Sequence, residues 1–279
     1  MQKISVIIPT YNRAAYIDRA ALSVLRQKDF DGEIIIIDDG SEDNTREVID
    51  ELPQQHRIRY HCNERAGVAA ARNYGVAVAC HPLIAFLDSD DHWCQGKLVR
   101  QMALLQQNPG HGICHTREKW LRRGRHLNQK KIHQPRAGDI FDHCLQICGV
   151  GMSTVLMYKE LFVESGGFDT ALPCCEDYDL WLRISAKYRF LLAGEALVVK
   201  EGGRADQLSA IYRRGMDKHR IYALEKLLGS TLLNTCQRQQ AVAELEKKCA
   251  IYGNGCIKHG HTSKGEYYLA LPEKYKQLL

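Results

Sequence analysis

The N-terminal third of the chain alternates short apolar runs with segments of helical periodicity, and this alternation limits the fold more than any other feature. Four apolar runs are predicted strands, at residues 4–8, 33–37, 58–61 and 83–87. The segments between them place apolar residues on one helix face, at residues 17–25, 45–52 and 67–79. Because this β-α-β order requires crossover connections, we predict an α/β fold with a mainly parallel sheet flanked by helices.

Polar motifs follow three of these strands at the point where each strand ends. Ligands of parallel sheets bind beyond the carboxyl ends of the strands, so these motifs mark a candidate site. Asp88, Asp90 and Asp91 place three carboxylates within four residues after the fourth strand. Carboxylates this close repel each other unless a cation is present, and Mg²⁺ or Mn²⁺ would bridge them to a ligand's phosphates. A turn followed by a helix start is the alternative explanation.

The other two strand ends suit a nucleotide. Asp38 and Asp39 follow the second strand, where a carboxylate can accept hydrogen bonds from a nucleobase or a ribose. A tight Asp-Gly turn explains the same residues without any ligand. Residues 9–13 (PTYNR) follow the first strand and offer an aromatic face, an amide and a cation. Those groups suit a planar base and its phosphates, or ordinary loop packing.

A second acidic motif, EDYD at residues 176–179, opens a predicted helix at 176–188. The helix dipole stabilises acidic residues in a first turn, which is sufficient to explain the motif. Alternatively, one of these carboxylates acts as a general base that accepts the proton of a hydroxyl nucleophile. The residues alone leave both explanations open.

The rest of the chain divides into an irregular and a helical part. A helix is predicted at 96–107, loops around short strands at 111–150, and a return to the sheet at 154–158. From Gly215 onward the pattern is helical, with breaks near 229–230 and 253–260. We therefore predict an α/β domain at 1–213 and a C-terminal helical region at 214–279. An apolar stripe of this region should pack on the domain: Met216, Ile221, Leu224, Leu227 and Leu228.

Composition limits the partners and the cellular compartment that we expect. The net charge of +5 is mild, and the basic segment at 117–136 lacks the interleaved aromatic residues of a nucleic-acid platform, so no nucleic-acid partner is expected. The eleven cysteines follow no disulfide or zinc spacing, which favours free thiols in a reducing compartment. The apolar runs are too short for a secretory signal or for the ~20 residues of a membrane span. We expect a cytoplasmic protein and leave peripheral association with the membrane face open.

In order and spacing, the motifs resemble the family-2 glycosyltransferases of the GT-A fold. The resemblance covers roughly residues 3 to 200 and is specific because six motifs occur in the same order. They are SVIIPTYNR at 5–13, DDGS at 38–41, GVAAARNYG at 67–75, FLDSDD at 86–91, GGFD at 166–169 and EDYDLW at 176–181.

The resemblance implies a nucleotide pocket and a place for a diphosphate. Its nucleotide-binding residues would be Pro9, Tyr11, Arg13, Asp39, Arg72, Asp88 and Asp90. Of these, Asp39 would contact the base. Many relatives carry a basic or imidazole group late in the domain, where this chain has no histidine. Arg204 is the substitute we expect at the diphosphate, since a guanidinium suits phosphates but does not bind a metal.

The resemblance also implies a metal and a base. Asp88 and Asp90 match the family's DxD motif, so Asp90 would bind ribose or a divalent metal (Mn²⁺ or Mg²⁺), with Asp91 as a competing metal ligand. The metal would offset the charge of the leaving diphosphate. Asp177 aligns with the family's catalytic base, and Glu176 is the next candidate.

The implied activity is an inverting transfer of a sugar from a nucleotide-sugar donor, most commonly a UDP-sugar in this family, to a hydroxyl group. The acceptor would be a glycan or a lipid-linked molecule in polysaccharide or lipopolysaccharide assembly. The alternative is a non-catalytic module that binds nucleotide-sugars. A nucleotidyltransferase and a Rossmann dehydrogenase are disfavoured, because no Gly-rich phosphate loop or GxGxxG motif follows the first strand.

Overall fold

One sheet with helices on both faces organises the computed structural model, which describes residues 3–28 and 30–277. The strands are β1 (Ile4–Thr10), β2 (Gly32–Asp38), β3 (Ile58–Cys62), β4 (Leu83–Phe86), β5 (His92–Trp93), β6 (Ile113–Arg122), β7 (Arg125–Leu127), β8 (Leu156–Tyr158) and β9 (Leu191–Gly202). The helices are α1 (Ile17–Leu25), α2 (Thr45–Asp50), α3 (Val68–Val78), α4 (Lys97–Gln107), α5 (Phe141–Gln146), α6 (Lys159–Glu164), α7 (Glu176–Ser185), α8 (Leu208–Ile211), α9 (Met216–Leu228), α10 (Thr235–Lys258) and α11 (Thr262–Lys276).

The strand order is β3-β2-β1-β4-β8-β6-β9-β5, and β7 pairs with β6. Strands β3, β2, β1 and β4 are parallel to one another, as are β6 and β9. The antiparallel pairings, which involve β5, β7 and β8, are short. The predicted α/β fold with a mainly parallel sheet is therefore confirmed.

The central strands are continuously apolar because both faces of the sheet are covered. Ile7 and Ile35 lie in the hydrophobic cluster on the side of α3, whereas Val6 and Ile34 lie in the cluster on the side of α1. All of these side chains are fully buried. A strand with two buried faces has no polar side, so it appears in the sequence as an unbroken apolar run.

Two long strands were not predicted. Residues 111–150 were expected to be loops around short strands, but β6 alone has ten residues, and β9 has twelve. Charged residues such as Glu118 and Lys119 break the apolar pattern of β6, while Gly194 and Glu195 break that of β9. Since the two strands pair with each other along almost their whole length, the pairing stabilises segments whose own sequences indicate no strand.

The predicted break near 253–260 occurs at the C-terminal end of that range. Helix α10 continues through Gly253 to Lys258, and the chain turns at 259–261. Gly253 serves close packing instead, because a Cβ atom there would lie 2.9 Å from the carbonyl oxygen of Gly265 in α11. Although α10 has 24 residues, no helix in the described ranges combines the length and the apolar character needed to cross a membrane.

The C-terminal helices share a core with the sheet-bearing part of the chain. Ile221, Leu224, Leu227 and Leu228 of α9 are buried in one cluster with side chains of α5 and α7, and Met216 packs against that cluster. The expected packing of this stripe is confirmed. The boundary near residue 213 stays a prediction, since a shared core does not define one.

The contact between α3 and the sheet provides a test of the fold. An alanine Cβ at Gly75 would lie 2.5 Å from Cγ2 of the buried Ile7, so we expect Gly75→Ala to lower the free energy of unfolding by about 1–3 kcal/mol. Gly255→Ala, in open space on α10, is the matched control and should raise it by about 0.5–1 kcal/mol. Urea denaturation measures both. An unchanged midpoint for Gly75→Ala would contradict this packing.

Candidate active site

One cavity of about 1040 Å³ lies at the carboxyl ends of β1, β2 and β4. All the predicted site residues except Arg204 line it: Pro9, Tyr11, Arg13, Asp39, Arg72, Asp88, Asp90, Asp91, Glu176 and Asp177. The parallel register aligns Thr10 at the end of β1 with Asp38 at the end of β2, so motifs far apart in sequence converge at one edge of the sheet.

Arg72 joins the two acidic motifs. Its guanidinium, on α3, is 4% exposed and donates hydrogen bonds to Oδ1 of Asp88 and Oε1 of Glu176, each at 2.6 Å. Burial alone would lower the pKa of Arg72, but the two carboxylates raise it well above its usual value. The sequence analysis placed Arg72 near the nucleotide; the structure makes it the bridge between the DxD loop and the start of α7.

The two candidate bases differ in environment. Glu176 is buried, and its pKa rises to about 6 because burial and the neighbouring Asp177 outweigh the effect of Arg72. Asp177 is half-buried and accepts a hydrogen bond from the Cys148 thiol, with Sγ 3.0 Å from Oδ2. Glu176 is paired with Arg72 whereas Asp177 has no cationic partner among the described residues, and the choice between the two as base stays a prediction.

The loop after β4 is anchored by Asp91. This side chain is 2% exposed, and its two oxygens accept hydrogen bonds from the Ser153 hydroxyl at 2.7 Å and from the backbone N–H of Glu201 at 3.1 Å. Burial, together with the carboxylates of Asp88 and Asp90, raises the pKa of Asp91 well above its ordinary value. Asp91 therefore fastens the loop to β9.

The arrangement of the carboxylates can be compared with the ligands that a divalent metal requires. Within residues 3–28 and 30–277, no group of three or more His, Cys, Asp or Glu side chains is arranged to hold a metal ion. Mg²⁺ needs only one or two carboxylates when phosphate oxygens and water complete its shell. Asp88 and Asp90 both line the cavity and fit such a set. Asp91 fits it less well, because it is buried and both of its oxygens accept hydrogen bonds from the protein.

The wall formed by residues 9–13 and 65–67 carries stacked and hydrogen-bonded groups. The Arg65 guanidinium lies 4.0 Å from the centroid of the Tyr11 ring and donates to the Tyr11 hydroxyl at 2.9 Å. Asp39 accepts hydrogen bonds from the backbone N–H groups of Ala66 and Gly67, at 2.7 and 2.9 Å. Asp39 thus fixes the loop that opens α3. Arg13 pairs with Asp206 at 2.6 Å.

Arg204 contacts the DxD loop but does not line the cavity. It pairs with Asp90 and stacks on Tyr16, with its guanidinium carbon 4.6 Å from the ring centroid. The Gln207 side-chain amide also donates to Asp90, at 3.3 Å. The structure therefore shows Arg204 bound to a DxD carboxylate, and its expected role at a diphosphate stays a prediction.

Several cavity residues were not among the predicted ones, and they include Arg65, Cys148, Lys200 and Arg220. Lys200 follows the apolar run at 196–199, and a lone lysine at the end of such a run is a signal that could have found it. Arg220 comes from α9, so the C-terminal helical region contributes to the cavity. No pattern in the sequence around Arg65 or Cys148 indicates that these residues line the cavity. All eleven cysteines lie in the described ranges as free thiols, as predicted.

A scan against family models decides the family. The model of "Glycosyl transferase family 2" matches residues 5–161, which is more than half of the chain. The chain belongs to glycosyl transferase family 2. The matched range contains the motifs after β1, β2 and β4 that form the cavity floor.

Related family-2 chains include an uncharacterized glycosyltransferase of Rickettsia felis, 37% identical over 187 residues, which are 66% of this chain and 30% of the relative. Another is the Escherichia coli protein named UDP-Glc:alpha-D-GlcNAc-diphosphoundecaprenol beta-1,3-glucosyltransferase WfgD. It is 34% identical over 185 residues, 65% of this chain and 69% of WfgD. The chain thus spans 30% of the length of the Rickettsia relative.

Solved structures confirm the GT-A fold. Residues 1–349 of S. aureus TarS, in complex with UDP-GlcNAc, superpose with a TM-score of 0.75 at 18% identity, covering 97% of this chain and 79% of that one. The mannosyltransferase PcManGT of Pyrobaculum calidifontis, in complex with GDP-Man and Mn²⁺, gives a TM-score of 0.63 at 17% identity and covers 98% and 87%.

The Arg72 bridge predicts a large loss of stability on its removal. Arg72→Met leaves two carboxylates unpaired in a buried site, so the free energy of unfolding should fall by about 3–5 kcal/mol. Adding Glu176→Gln removes one of the stranded charges and should recover part of the loss. Urea denaturation at neutral pH compares the two variants, and equal stability of Arg72→Met and the unmodified chain would refute the bridge.

The raised pKa of Glu176 predicts that the free energy of unfolding depends on pH. The folded protein holds this proton up to about pH 6, whereas the unfolded chain releases it near 4.5, so the free energy of unfolding falls as the pH rises between these values. Glu176→Gln has no such proton, so its free energy of unfolding lacks this pH dependence. From pH 4.5 to pH 6 the variant should therefore gain roughly 1–2 kcal/mol relative to the unmodified chain. Urea unfolding across this range checks it; a constant difference would contradict the burial effect.

Proposed function

We propose that this chain is a glycosyltransferase that moves a sugar from a nucleotide-sugar donor to a hydroxyl acceptor with inversion. The supporting observation is that Asp177 and the DxD carboxylates line one cavity, and that Arg72 holds their two loops together. A nucleotide-sugar donor is further supported by the ligands of the solved relatives, UDP-GlcNAc in TarS and GDP-Man in PcManGT.

In the proposed reaction the acceptor oxygen forms a bond to the anomeric carbon while the bond from that carbon to the diphosphate oxygen breaks. The electron pair of the broken bond stays on the diphosphate. Asp177 accepts the proton of the attacking hydroxyl, which makes the oxygen a better nucleophile. A single displacement inverts the anomeric centre. Glu176 is assigned a supporting role, since it is buried against Arg72.

The donor would lie along the edge of the sheet. The Tyr11–Arg65 stack offers a surface for the base, next to the loop that Asp39 fixes. Asp88 and Asp90 would hold Mn²⁺ or Mg²⁺, which would offset the diphosphate charge, and PcManGT carries Mn²⁺ with its donor. Arg204 would have to release Asp90 for that carboxylate to bind the metal.

The acceptor is proposed to be a glycan or a lipid-linked sugar in polysaccharide assembly. Support comes from WfgD, whose name specifies a diphosphoundecaprenol-linked acceptor. The cavity lining also includes apolar side chains, Met152, Leu172 and Met216, and the cationic Arg220. This lining would suit an acceptor with apolar and anionic parts. An acceptor of that kind would place the protein at the cytoplasmic face of a membrane.

Asp177→Asn tests the reaction. With its true donor and acceptor, the variant should lose transfer by about 10²- to 10⁴-fold because it cannot accept the hydroxyl proton. Binding of the donor nucleotide, measured by calorimetry, should persist. A panel of nucleotide-sugars, assayed for nucleoside diphosphate release with Mn²⁺ and with EDTA, identifies the donor first.

Two outcomes would change the proposal. Unchanged turnover of Asp177→Asn would remove Asp177 as the base. Binding of a nucleotide-sugar by the unmodified chain, without turnover on any acceptor, would instead favour the non-catalytic binding module. Cys236→Ala changes an exposed thiol outside the cavity and controls for the effects of substitution and purification. It should behave as the unmodified chain.

A further inference from the structure

A basic segment at residues 119–138 has no part in the proposed reaction. It contains no acidic residue, and its lysines and arginines are Lys119, Arg122, Arg123, Arg125, Lys130, Lys131 and Arg136. All of these side chains are exposed. Within residues 3–28 and 30–277, Arg136 alone of this set has a carboxylate partner, Asp142 at 3.0 Å. The basic segment therefore presents a surplus of positive charge on the surface.

Strand pairing places the start of the basic segment at the edge of the sheet where the cavity lies. Strand β6 is antiparallel to β8, which is antiparallel to β4, so β6 and its partner β9 run parallel to β4. The carboxyl ends of β6 and β9 therefore lie at the same edge as the DxD loop that follows β4. The turn between β6 and β7, at Arg123 and Gly124, is at this edge.

Two hydrogen bonds connect this turn to the lining of the cavity. The backbone N–H of Arg123 donates to the carbonyl oxygen of Gly202 at 3.3 Å. The backbone N–H of the next residue, Gly203, donates to the side chain of Gln207 at 2.9 Å, and Gln207 lines the cavity. The turn thus lies against the loop that leads into α8.

Exposed apolar side chains accompany the cations. Leu127 and Ile132 of the basic segment are 40% and 41% exposed. Leu208 and Ile211 of α8 are 40% and 59% exposed, and both line the cavity. Since they are three residues apart, they share one face of the helix. Exposed apolar side chains next to cations are the combination that binds at the boundary between lipid headgroups and acyl chains.

We propose that the basic segment and α8 together form a surface that docks on an anionic lipid bilayer. The cations contact the charged headgroups, and the four exposed apolar side chains reach the boundary with the acyl chains. The inference rests on the proposed function in one respect, namely the acceptor. A lipid-linked acceptor would enter the cavity from the bilayer along α8, at the edge of the sheet that carries the DxD loop.

A nucleic acid is the other large anion that a basic segment could bind. Its phosphates would attract the same cations, but they offer no partner for the aliphatic side chains of Leu127 and Ile132. Binding of single strands also uses aromatic side chains on which bases stack. The one tryptophan of the segment, Trp120, packs on His133 with 5.1 Å between the ring centroids. These observations favour the lipid surface.

Binding to vesicles tests the docking surface. The folded 279-residue chain is sedimented with phosphatidylcholine vesicles that contain or lack phosphatidylglycerol. It should bind the anionic vesicles only, and more weakly as salt screens the headgroups. A variant with Arg123→Gln, Arg125→Gln, Lys130→Gln and Lys131→Gln should bind them about 10²- to 10³-fold more weakly, because each cation at an anionic bilayer changes binding roughly fivefold.

A second quadruple variant removes the same net charge elsewhere. It combines changes at exposed lysines of α10 and α11 that do not line the cavity: Lys247→Gln, Lys258→Gln, Lys264→Gln and Lys274→Gln. This variant should bind anionic vesicles as the unmodified chain does. An equal loss of vesicle binding in both quadruple variants would refute a local docking surface, because it would show that net charge alone attracts the chain.

The double variant Leu127→Ser with Ile132→Ser distinguishes a bilayer from a nucleic acid. It keeps every cation, so its binding to anionic vesicles should fall by about 10-fold while its binding to single-stranded polyuridylate stays unchanged. Polyuridylate binding that depends on the four cations, with no binding to anionic vesicles, would overturn the lipid surface in favour of a nucleic acid. Unchanged vesicle binding of the double variant would refute the apolar contact.

The docking surface and the proposed function fail in different measurements. Calorimetric affinity for UDP or GDP should be the same in all three variants, since none of the changed residues lines the cavity. If the unmodified chain binds a nucleotide but no anionic vesicle, the docking surface is wrong and the proposed function stands. If it binds anionic vesicles but neither nucleotide, the proposed function fails and the docking surface stands. Lys130→Gln with Lys131→Gln, outside β6 and β7, replaces the first variant if that one does not fold, with an expected loss of about 25-fold.

Discussion

Two acidic loops that are far apart in the chain meet because one buried guanidinium binds both of them. Arg72 contacts Asp88 after β4 and Glu176 at the start of α7, and neither carboxylate could lie so close to the other without it. The bridge depends on α3 lying flat on the sheet, which the small residue Gly75 permits. A packing contact in the core therefore determines the geometry of the cavity.

The carboxylates of the site repel one another, and the protein offsets this repulsion in different ways. Glu176 and Asp91 are buried and have raised pKa values, and both serve to anchor loops. Asp88, Asp90 and Asp177 keep access to the cavity. The cations also differ. Arg72 forms hydrogen bonds with its carboxylate partners, whereas Lys200 interacts with the carboxylates only electrostatically.

The C-terminal helices take part in the site as well as in the core. Helix α9 buries Ile221 and Leu224 against α7, and the same helix brings Arg220 to the cavity wall. The Arg220 guanidinium lies over the Tyr178 ring, one residue from Asp177. A helix outside the region matched by the family model thus contacts the residue next to the candidate base.

The sequence by itself determined the order of strands and helices at the N-terminus, the family and the set of acidic residues at the strand ends. These features are local: a strand buried on both faces must be apolar, and a strand end must be followed by a polar turn. Only the tertiary structure decided that β6 and β9 are long strands, that Arg72 bridges two motifs, and that Lys200 and Cys148 face the cavity. Each of these depends on partners distant in the chain, and a pattern along the chain does not record which distant segments will be brought into contact.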